Sequence, residues 1–300
     1  MAHLQLQLTV LSTQQSCAEH ALEDLGAMSI SLVDALSGTS EEHAILEPAV
    51  GEMPVWQLLR IQGLFPATSD RRGLLAALAE LMPDLTPAQV ELEELEDRDW
   101  ARAWMDQYKP MRFGRRLWVY PSTIEPVDRA VEDVVIRLDP GLAFGSGTHP
   151  TTALCLEWLA GQRLQEKHVL DFGCGSGVLA IAALKLGAAS ATGIDNDPQA
   201  LSSSRDNAER NDVASRLKLI SPEQMDAGVY DVVVANILTG PLLDLAPRLV
   251  SALASGAPMA LSGILRDQAG EVVERYAALG IADISVDVRE DWVRVSGRKA

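Results

Sequence analysis

The segment 168–178 (HVLDFGCGSGV) restricts the possible folds of this chain more than any other part of the sequence. A short apolar strand ends at Asp171, and glycines follow at three alternate positions, Gly173, Gly175 and Gly177, before an apolar helical run. Because glycine has no Cβ, the backbone can turn sharply here and lie directly against a ligand. The following helix would direct its free N–H groups at that ligand. A strand, a glycine turn and a helix in this order predict the first unit of a doubly wound α/β nucleotide-binding fold.

The chain after residue 137 alternates between strand and helix patterns. This alternation predicts a mostly parallel sheet with helices on both faces, in which the last two strands can be antiparallel. The predicted strands are 168–172, 190–195, 217–220, 229–236, 258–263, 283–288 and 292–297, and the predicted helices are 151–159, 178–186, 198–211, 238–251 and 267–279.

The first hundred residues have a different organisation. Apolar and polar residues alternate from Leu4 to Val10, which predicts a strand with one buried face. The order strand, helix, strand, strand, helix, strand is that of a ferredoxin-like α+β module. Since no catalytic cluster stands out in it, we expect this module to serve recognition or packing. Its predicted elements are a helix over 14–25 ended by Gly26, strands over 28–32 and 55–65, a helix through 81 capped by Ser69 or Asp70, and a strand over 90–95.

The segment 97–120 is basic and aromatic. Trp100 and Trp104 are four residues apart, the spacing of one helix face, and 116–120 has the pattern of a strand. Such a patch can bind nucleic acid, but a linker helix whose tryptophans pack between domains is the better interpretation. The predicted domains are therefore a recognition domain over 1–96, a linker helix and strand over 97–120, and a catalytic domain over 121–300.

The charge of the chain is strongly negative. The net charge is −17, and residues 1–100 hold seventeen acidic residues against four arginines and no lysine. Because phosphate binding needs a basic surface, nucleic acid is not the expected main partner. The acidic front module either attracts a basic macromolecule or only keeps the domain soluble.

The expected location of the protein is the cytoplasm. The alternating N-terminus predicts a strand and not a signal peptide, and no apolar run has the length of a membrane span. Cys17, Cys155 and Cys174 show no disulfide or zinc-type spacing, which favours a reducing compartment. We expect a monomer with no metal site.

The glycine spacing decides which nucleotide the turn binds. A dinucleotide site has the spacing GxGxxG, whereas Gly177 arrives one residue earlier here. Asp195 ends the next strand, where a carboxylate can bind both ribose hydroxyls, although it could also be a helix cap. Asn236 ends a buried strand at the same sheet edge, although it could be only a turn residue.

A glycine-rich loop over 139–152 (DPGLAFGSGTHPTT) leads into the first helix of the catalytic domain and is long enough to suggest a function. His149 in this loop could act as a general base, but a structural role is the better interpretation. Cys174 lies between two glycines without a basic partner, so we expect it to pack under the glycine turn.

These motifs resemble the class I S-adenosylmethionine-dependent methyltransferases. The segments 141–152, 171–177 (DFGCGSG), 193–198 (GIDNDP) and 235–238 (ANIL), with the front module, resemble the PrmA family, the methyltransferases of large-subunit ribosomal protein eleven. The resemblance implies a seven-stranded Rossmann-like methyltransferase domain preceded by a small ferredoxin-like domain. It implies S-adenosylmethionine as the cofactor and a basic ribosomal protein as the partner, docked by the acidic front module. The implied cofactor-binding residues are Thr152 (at the end of the loop, on the methionine moiety), Gly173, Gly175, Asp195 and Asn236.

The implied reaction is methylation of an amine. A lysine amine has a pKa of about 10.4, so its deprotonation at pH 7 costs about 4.6 kcal/mol. Burial lowers that pKa, and Asn236 Oδ1 with a main-chain carbonyl can hold the neutral amine, which makes Asn236 the predicted catalytic residue. An α-amine is an easier acceptor, and no metal is required.

Two other functions use the same glycine turn. Relatives that methylate planar amines carry an Asn-Pro-Pro-Tyr motif, whereas this chain has Asn236-Ile-Leu-Thr239 and lacks the aromatic platform. An RNA or small-molecule methyltransferase is therefore a weaker alternative. A nicotinamide-dependent oxidoreductase is weaker still, because of the early third glycine.

Overall fold

The computed structural model describes residues 3–39, 41–42, 45, 53–95, 109–126, 130–139, 148–225 and 228–300. The chain divides into two compact units, residues 1–103 and 104–300. The predicted linker helix with Trp100 and Trp104 lies outside the described residues, and so does most of the predicted loop, residues 140–147.

The first unit is a four-stranded antiparallel sheet with two helices. The strand order is β2-β3-β1-β4, so the first and third strands are central. Every second residue of β1 from Leu4 to Val10 is fully buried and packs in one cluster with helix residues such as Leu22 and Leu78. The elements are β1 (His3–Leu11), α1 (Gln15–Asp24), β2 (Ser29–Asp34), β3 (Leu58–Pro66), α2 (Arg71–Leu81) and β4 (Val90–Leu95).

The helix ends of this unit lie where local sequence signals predict them. Gly26 follows α1 with a φ of +84°, and the Asp70 carboxylate caps α2 by accepting a hydrogen bond from the Arg72 N–H at 3.1 Å. The prediction that the third strand starts at Val55 was wrong, because pairing with β1 and β2 begins only at Leu58.

The second unit is an α/β fold around a seven-stranded mixed sheet of order β10-β9-β8-β11-β12-β14-β13. The five strands from β10 to β12 in this order are parallel, and β14 is antiparallel to both of its neighbours. The strands are β8 (His168–Phe172), β9 (Ser190–Ile194), β10 (Leu217–Ile220), β11 (Val232–Asn236), β12 (Pro258–Leu265), β13 (Ile281–Arg289) and β14 (Trp292–Lys299). The helices are α3 (Pro150–Ala160), α4 (Val178–Lys185), α5 (Pro198–Arg210), α6 (Thr239–Ser251) and α7 (Ala269–Ala278).

The strand order places the predicted site residues at one edge. Strands β9, β8 and β11 are neighbours, and all three run in the same direction. Their carboxyl ends carry Asp195, the glycine turn and Asn236, respectively. Ligands of such sheets bind outside the carboxyl ends of the strands.

A small three-stranded sheet precedes this core and was not predicted as a sheet. It consists of β5 (Met111–Phe113), β6 (Leu117–Tyr120) and β7 (Val134–Arg137), and only the middle strand was expected. Asn211 ties it to the main fold. Its side chain accepts from the Arg137 N–H at 2.7 Å and donates to the Arg137 carbonyl at 2.8 Å.

Among the residues delimited above, no helix combines the length and the apolar character that a membrane crossing requires. Cys17 is an exposed free thiol, and Cys155 and Cys174 are buried free thiols.

Loss of the Asn211 side chain should destabilise the second unit. Asn211 is buried, and Asn211→Ala removes three hydrogen bonds and leaves the N–H and the carbonyl of Arg137 without these partners. We expect the free energy of unfolding to fall by about 2–3 kcal/mol in urea titrations. The exposed Ser202→Ala variant in the preceding helix should change it by less than about 0.5 kcal/mol. Equal stability of the two variants would contradict the anchoring role.

Candidate functional site

A cleft of about 220 Å³ lies at the carboxyl edge of the main sheet. All five residues predicted from the sequence line it, and they come from four separate segments of the chain. The lining residues are Thr152, Gly173, Cys174, Gly175, Val178, Leu179, Asp195, Asn196, Asn236 and Ile237.

The glycine turn lies against the end of β9. The Ile194 carbonyl accepts hydrogen bonds from the N–H groups of Gly173 and Cys174, at 2.7 and 2.9 Å. Gly173 has a φ of +75°, and an added Cβ would lie 2.1 Å from Cγ2 of Ile237. Both the backbone conformation and the close approach therefore require glycine at this position.

Asp195 connects the turn to the next strand. Its Oδ2 accepts a hydrogen bond from the Gly175 N–H at 2.9 Å, and its Oδ1 accepts one from the Asp197 N–H at 3.0 Å. Asp195 is not the cap of α5, because that role belongs to Asp197, which accepts from the Gln199 N–H at 2.8 Å. Each carboxylate oxygen of Asp195 has a second lone pair, so both remain able to accept from a ligand hydroxyl.

Asn236 and Thr152 form a pair on the opposite wall of the cleft. Asn236 Nδ2 donates to Thr152 Oγ1 at 3.3 Å, while the buried Asn236 Oδ1 has no hydrogen-bond partner among the described residues. A buried acceptor without a partner costs free energy unless a ligand supplies a donor. Asn236 therefore carries, among the described residues, one unpaired acceptor at the lining of the cleft.

Thr152 belongs to both the predicted loop 139–152 and the predicted helix 151–159. Helix α3 begins at Pro150, so Thr152 lies in its first turn, and it is fully buried. Proline is favoured at the first helical position because its missing N–H would be unpaired there anyway.

Asp171 lies directly beneath the turn and is fully buried. Its Oδ2 accepts from the Ala180 N–H at 2.9 Å and so caps α4 from the preceding strand, and its Oδ1 has no partner among the described residues. Burial raises the pKa of Asp171 to about 7. The hydrogen bond from Ala180 lowers this pKa, and the nearby Asp195 charge raises it by a smaller amount.

Two residues that support the turn were missed by the sequence analysis. Ser204 Oγ donates to the Gly175 carbonyl at 2.8 Å, and Asn207 Nδ2 donates to the Ser176 carbonyl at 2.9 Å. Both are polar residues on the buried face of α5, three positions apart. That spacing on an otherwise small-residue face was the signal that could have identified them.

His149 and Cys174 have structural contacts. His149 caps α3, with Nδ1 2.7 Å from Thr151 Oγ1 and its ring edge-on to Trp292 at 4.9 Å, and burial lowers its pKa. Cys174 packs under the turn as expected, with its Sγ 3.6 Å from Ser204 Oγ, and burial raises its pKa. Among the described residues, no group of three or more His, Cys, Asp or Glu side chains is placed to hold a metal ion.

Comparison with known proteins gives matches over the full length of the chain. A family model described as ribosomal protein L11 methyltransferase (PrmA) matches residues 2–300. The ribosomal protein L11 methyltransferase of Stenotrophomonas maltophilia (strain R551-3) is 50% identical over 303 residues, which cover 99% of each chain. The protein of the same name from Pseudomonas paraeruginosa (strain DSM 24068 / PA7) is 50% identical over 301 residues, with 100% of this chain and 99% of the relative covered.

A solved structure supports the fold. The crystal structure of ribosomal protein L11 methylase from Lactobacillus delbrueckii subsp. bulgaricus is 33% identical, with a TM-score of 0.58. The match covers 64% of this chain and 100% of that chain. The chain therefore shares the α/β fold of this methylase.

Asp195 and Asp197 lie in the same turn and should respond differently to substitution. Asp195→Ala removes the carboxylate that faces the cleft, and we expect it to weaken nucleoside binding at least tenfold in calorimetric titrations with S-adenosylhomocysteine. Asp197→Ala removes only a helix cap and should cost about 1 kcal/mol of stability with affinity changed less than threefold. Equal affinity losses in the two variants would contradict the assignment of Asp195.

The buried Asp171 carboxyl should make stability depend on pH. In the unfolded chain it ionises near pH 3.9, but in the fold it stays protonated up to about pH 7. Its stabilising contribution is therefore complete below about pH 4 and is lost as the pH rises to about 7. We expect the free energy of unfolding of the wild type to fall relative to Asp171→Asn across this window, by on the order of 1–4 kcal/mol in urea titrations. A difference that is independent of pH would show that burial does not perturb this carboxyl.

Proposed function

The chain belongs to the ribosomal protein L11 methyltransferase (PrmA) family of S-adenosylmethionine-dependent enzymes, and from this premise we propose that it methylates amines of ribosomal protein L11. The proposed acceptors are lysine side chains and α-amines of that protein. The observation that carries the proposal is the buried Asn236 Oδ1, an acceptor without a partner among the described residues at the wall of the cleft.

The cleft suits the donor molecule in two respects. Gly173 lets main chain approach a ligand where a side chain would collide with Ile237, and Asp195 offers two oxygens to the ribose hydroxyls. In this proposal Gly173, Gly175 and Asp195 hold the nucleoside and Thr152 lies toward the methionine moiety. When bound, S-adenosylmethionine supplies a methyl group that is already activated by the sulfonium.

The contribution of Asn236 is to hold the acceptor amine. Deprotonating a lysine at pH 7 costs about 4.6 kcal/mol in water, and a cleft that excludes water lowers this cost by disfavouring the ammonium form. The Oδ1 atom accepts one N–H of the neutral amine, which leaves the nitrogen lone pair directed elsewhere. Thr152 fixes the orientation of the Asn236 amide, because Asn236 Nδ2 donates a hydrogen bond to the Thr152 hydroxyl. Orientation of the two reactants then supplies most of the rate enhancement.

We propose that the front unit is a ferredoxin-like domain over residues 1–96 that recognises the basic substrate, followed by a linker over 97–120 and the catalytic domain over 121–300. Its strand order β2-β3-β1-β4 and its excess of acidic residues support this proposal. The enzyme would act as a monomer in the cytoplasm, where ribosomal proteins are made, without direct binding of nucleic acid.

The activity is tested by labelling an undermethylated cell lysate and, separately, purified ribosomal protein L11 with S-adenosylmethionine that carries a tritiated methyl group. We expect label in the protein and none in ribosomal RNA. Mass spectrometry of the labelled protein then locates the modified amines. Label that is removed by ribonuclease and retained after protease digestion would contradict the proposal.

Variants of Asn236 and Thr152 test the role of Asn236. Asn236→Ala removes the Oδ1 acceptor and should lower kcat about 100-fold. Thr152→Val keeps the shape of the side chain but frees the amide to rotate, so we expect a fall of about tenfold. The exposed Ser202→Ala variant serves as the control. Wild-type kcat in Asn236→Ala would rule out this residue as the amine acceptor.

A further inference from the structure

Ile237 directly follows Asn236 and lines the same cleft as the glycine turn. Its side chain faces the glycine turn, since an added Cβ at Gly173 would lie 2.1 Å from Ile237 Cγ2 and 3.6 Å from its Cβ. Contact with the turn is therefore made through the β-branch methyl group. Any change in that methyl alters the separation between the turn and the Asn236 strand end.

The main chain of Ile237 is held from the other side by Gly263. This glycine has a φ of +85° and lies at an irregularity of β12, where the pairing register with β14 shifts between Ser262 and Ile264. An added Cβ at Gly263 would lie 2.3 Å from the Ile237 carbonyl oxygen and 2.7 Å from its carbonyl carbon. These are main-chain atoms, so a side chain at position 263 would have to displace the peptide itself.

Hydrogen bonds fix the same segment. The Ile237 N–H donates to the Ser262 carbonyl at 3.1 Å, and the fully buried Ser262 donates its hydroxyl to the Val293 carbonyl at 2.8 Å. The peptide after Asn236 is thus tied to β12 and, through it, to β14. Ile237 has little freedom to move in either direction across the cleft.

We propose that Ile237 is a positioning residue that sets the distance between the glycine turn and the amine acceptor on Asn236. This inference rests on the proposed function, in which the turn holds the methyl donor and Asn236 the amine. Methyl transfer depends on the separation of the two reactants, and a displacement of about 1 Å can reduce the rate about 100-fold. Because Ile237 packs between Gly173 and Gly263, the fold itself sets the distance between the glycine turn and Asn236.

The β-branch gives a sharp test. Ile237→Val keeps the methyl group that contacts Gly173 but is smaller, whereas Ile237→Leu has the same volume but no β-branch. We expect Ile237→Val to keep kcat within about threefold and Ile237→Leu to lower it about 30-fold, with the dissociation constant for S-adenosylhomocysteine changed less than threefold in both. Thermal melts check that both variants are folded. A residue that only fills space would show the opposite order, and that result would overturn the inference.

A second test uses binding alone and does not depend on the identity of the acceptor. Gly173→Ala should weaken S-adenosylhomocysteine binding, and Ile237→Ala in the same chain should recover at least tenfold, because the colliding methyl is gone. Strain from the positive φ at position 173 remains, so recovery should be incomplete. No recovery in a folded double variant would overturn the contact and with it the positioning role. Failure of the wild type to label ribosomal protein L11 would overturn the proposed function, while recovery in the double variant would still show the contact.

Discussion

The end of strand β9 holds the glycine turn, and the site depends on this contact. The Ile194 carbonyl accepts hydrogen bonds from two N–H groups of the turn, and the Asp195 carboxylate accepts one from a third. A segment rich in glycine would otherwise populate many conformations and lose more entropy on ligand binding. Ser204 and Asn207 of α5 hold the carbonyls on the other side of the turn, so its main chain is fixed before a ligand arrives.

The two walls of the cleft differ in their chemical groups. One wall, formed by the turn and Asp195, exposes main chain and a carboxylate, which suit a nucleoside. The other wall, formed by Asn236 and Thr152, carries one buried amide oxygen without a partner among the described residues, and the Thr152 hydroxyl accepts a hydrogen bond from the same amide. The parallel order of β9, β8 and β11 brings these walls together, because their carboxyl ends meet at the same edge.

Sequence reasoning predicted the β/α alternation, the helix ends at Gly26 and Asp70, and five of the residues that line the cleft, because each rests on local pattern or on the strand-end rule. It could not predict how β14 inserts between β12 and β13, since that order depends on tertiary packing. Strands β5 and β7, of three and four residues, were also missed. The role of Gly263 was invisible, because its neighbour Ile237 is distant in sequence.

The polarity of the cleft bears on turnover. Its described lining contains no aromatic ring, and Asp195 is the one charged side chain among these residues. In the proposed arrangement the ribose and main-chain contacts are common to donor and product. In that arrangement these contacts do not change when the methyl group is transferred, so they would hold the product as well as the donor.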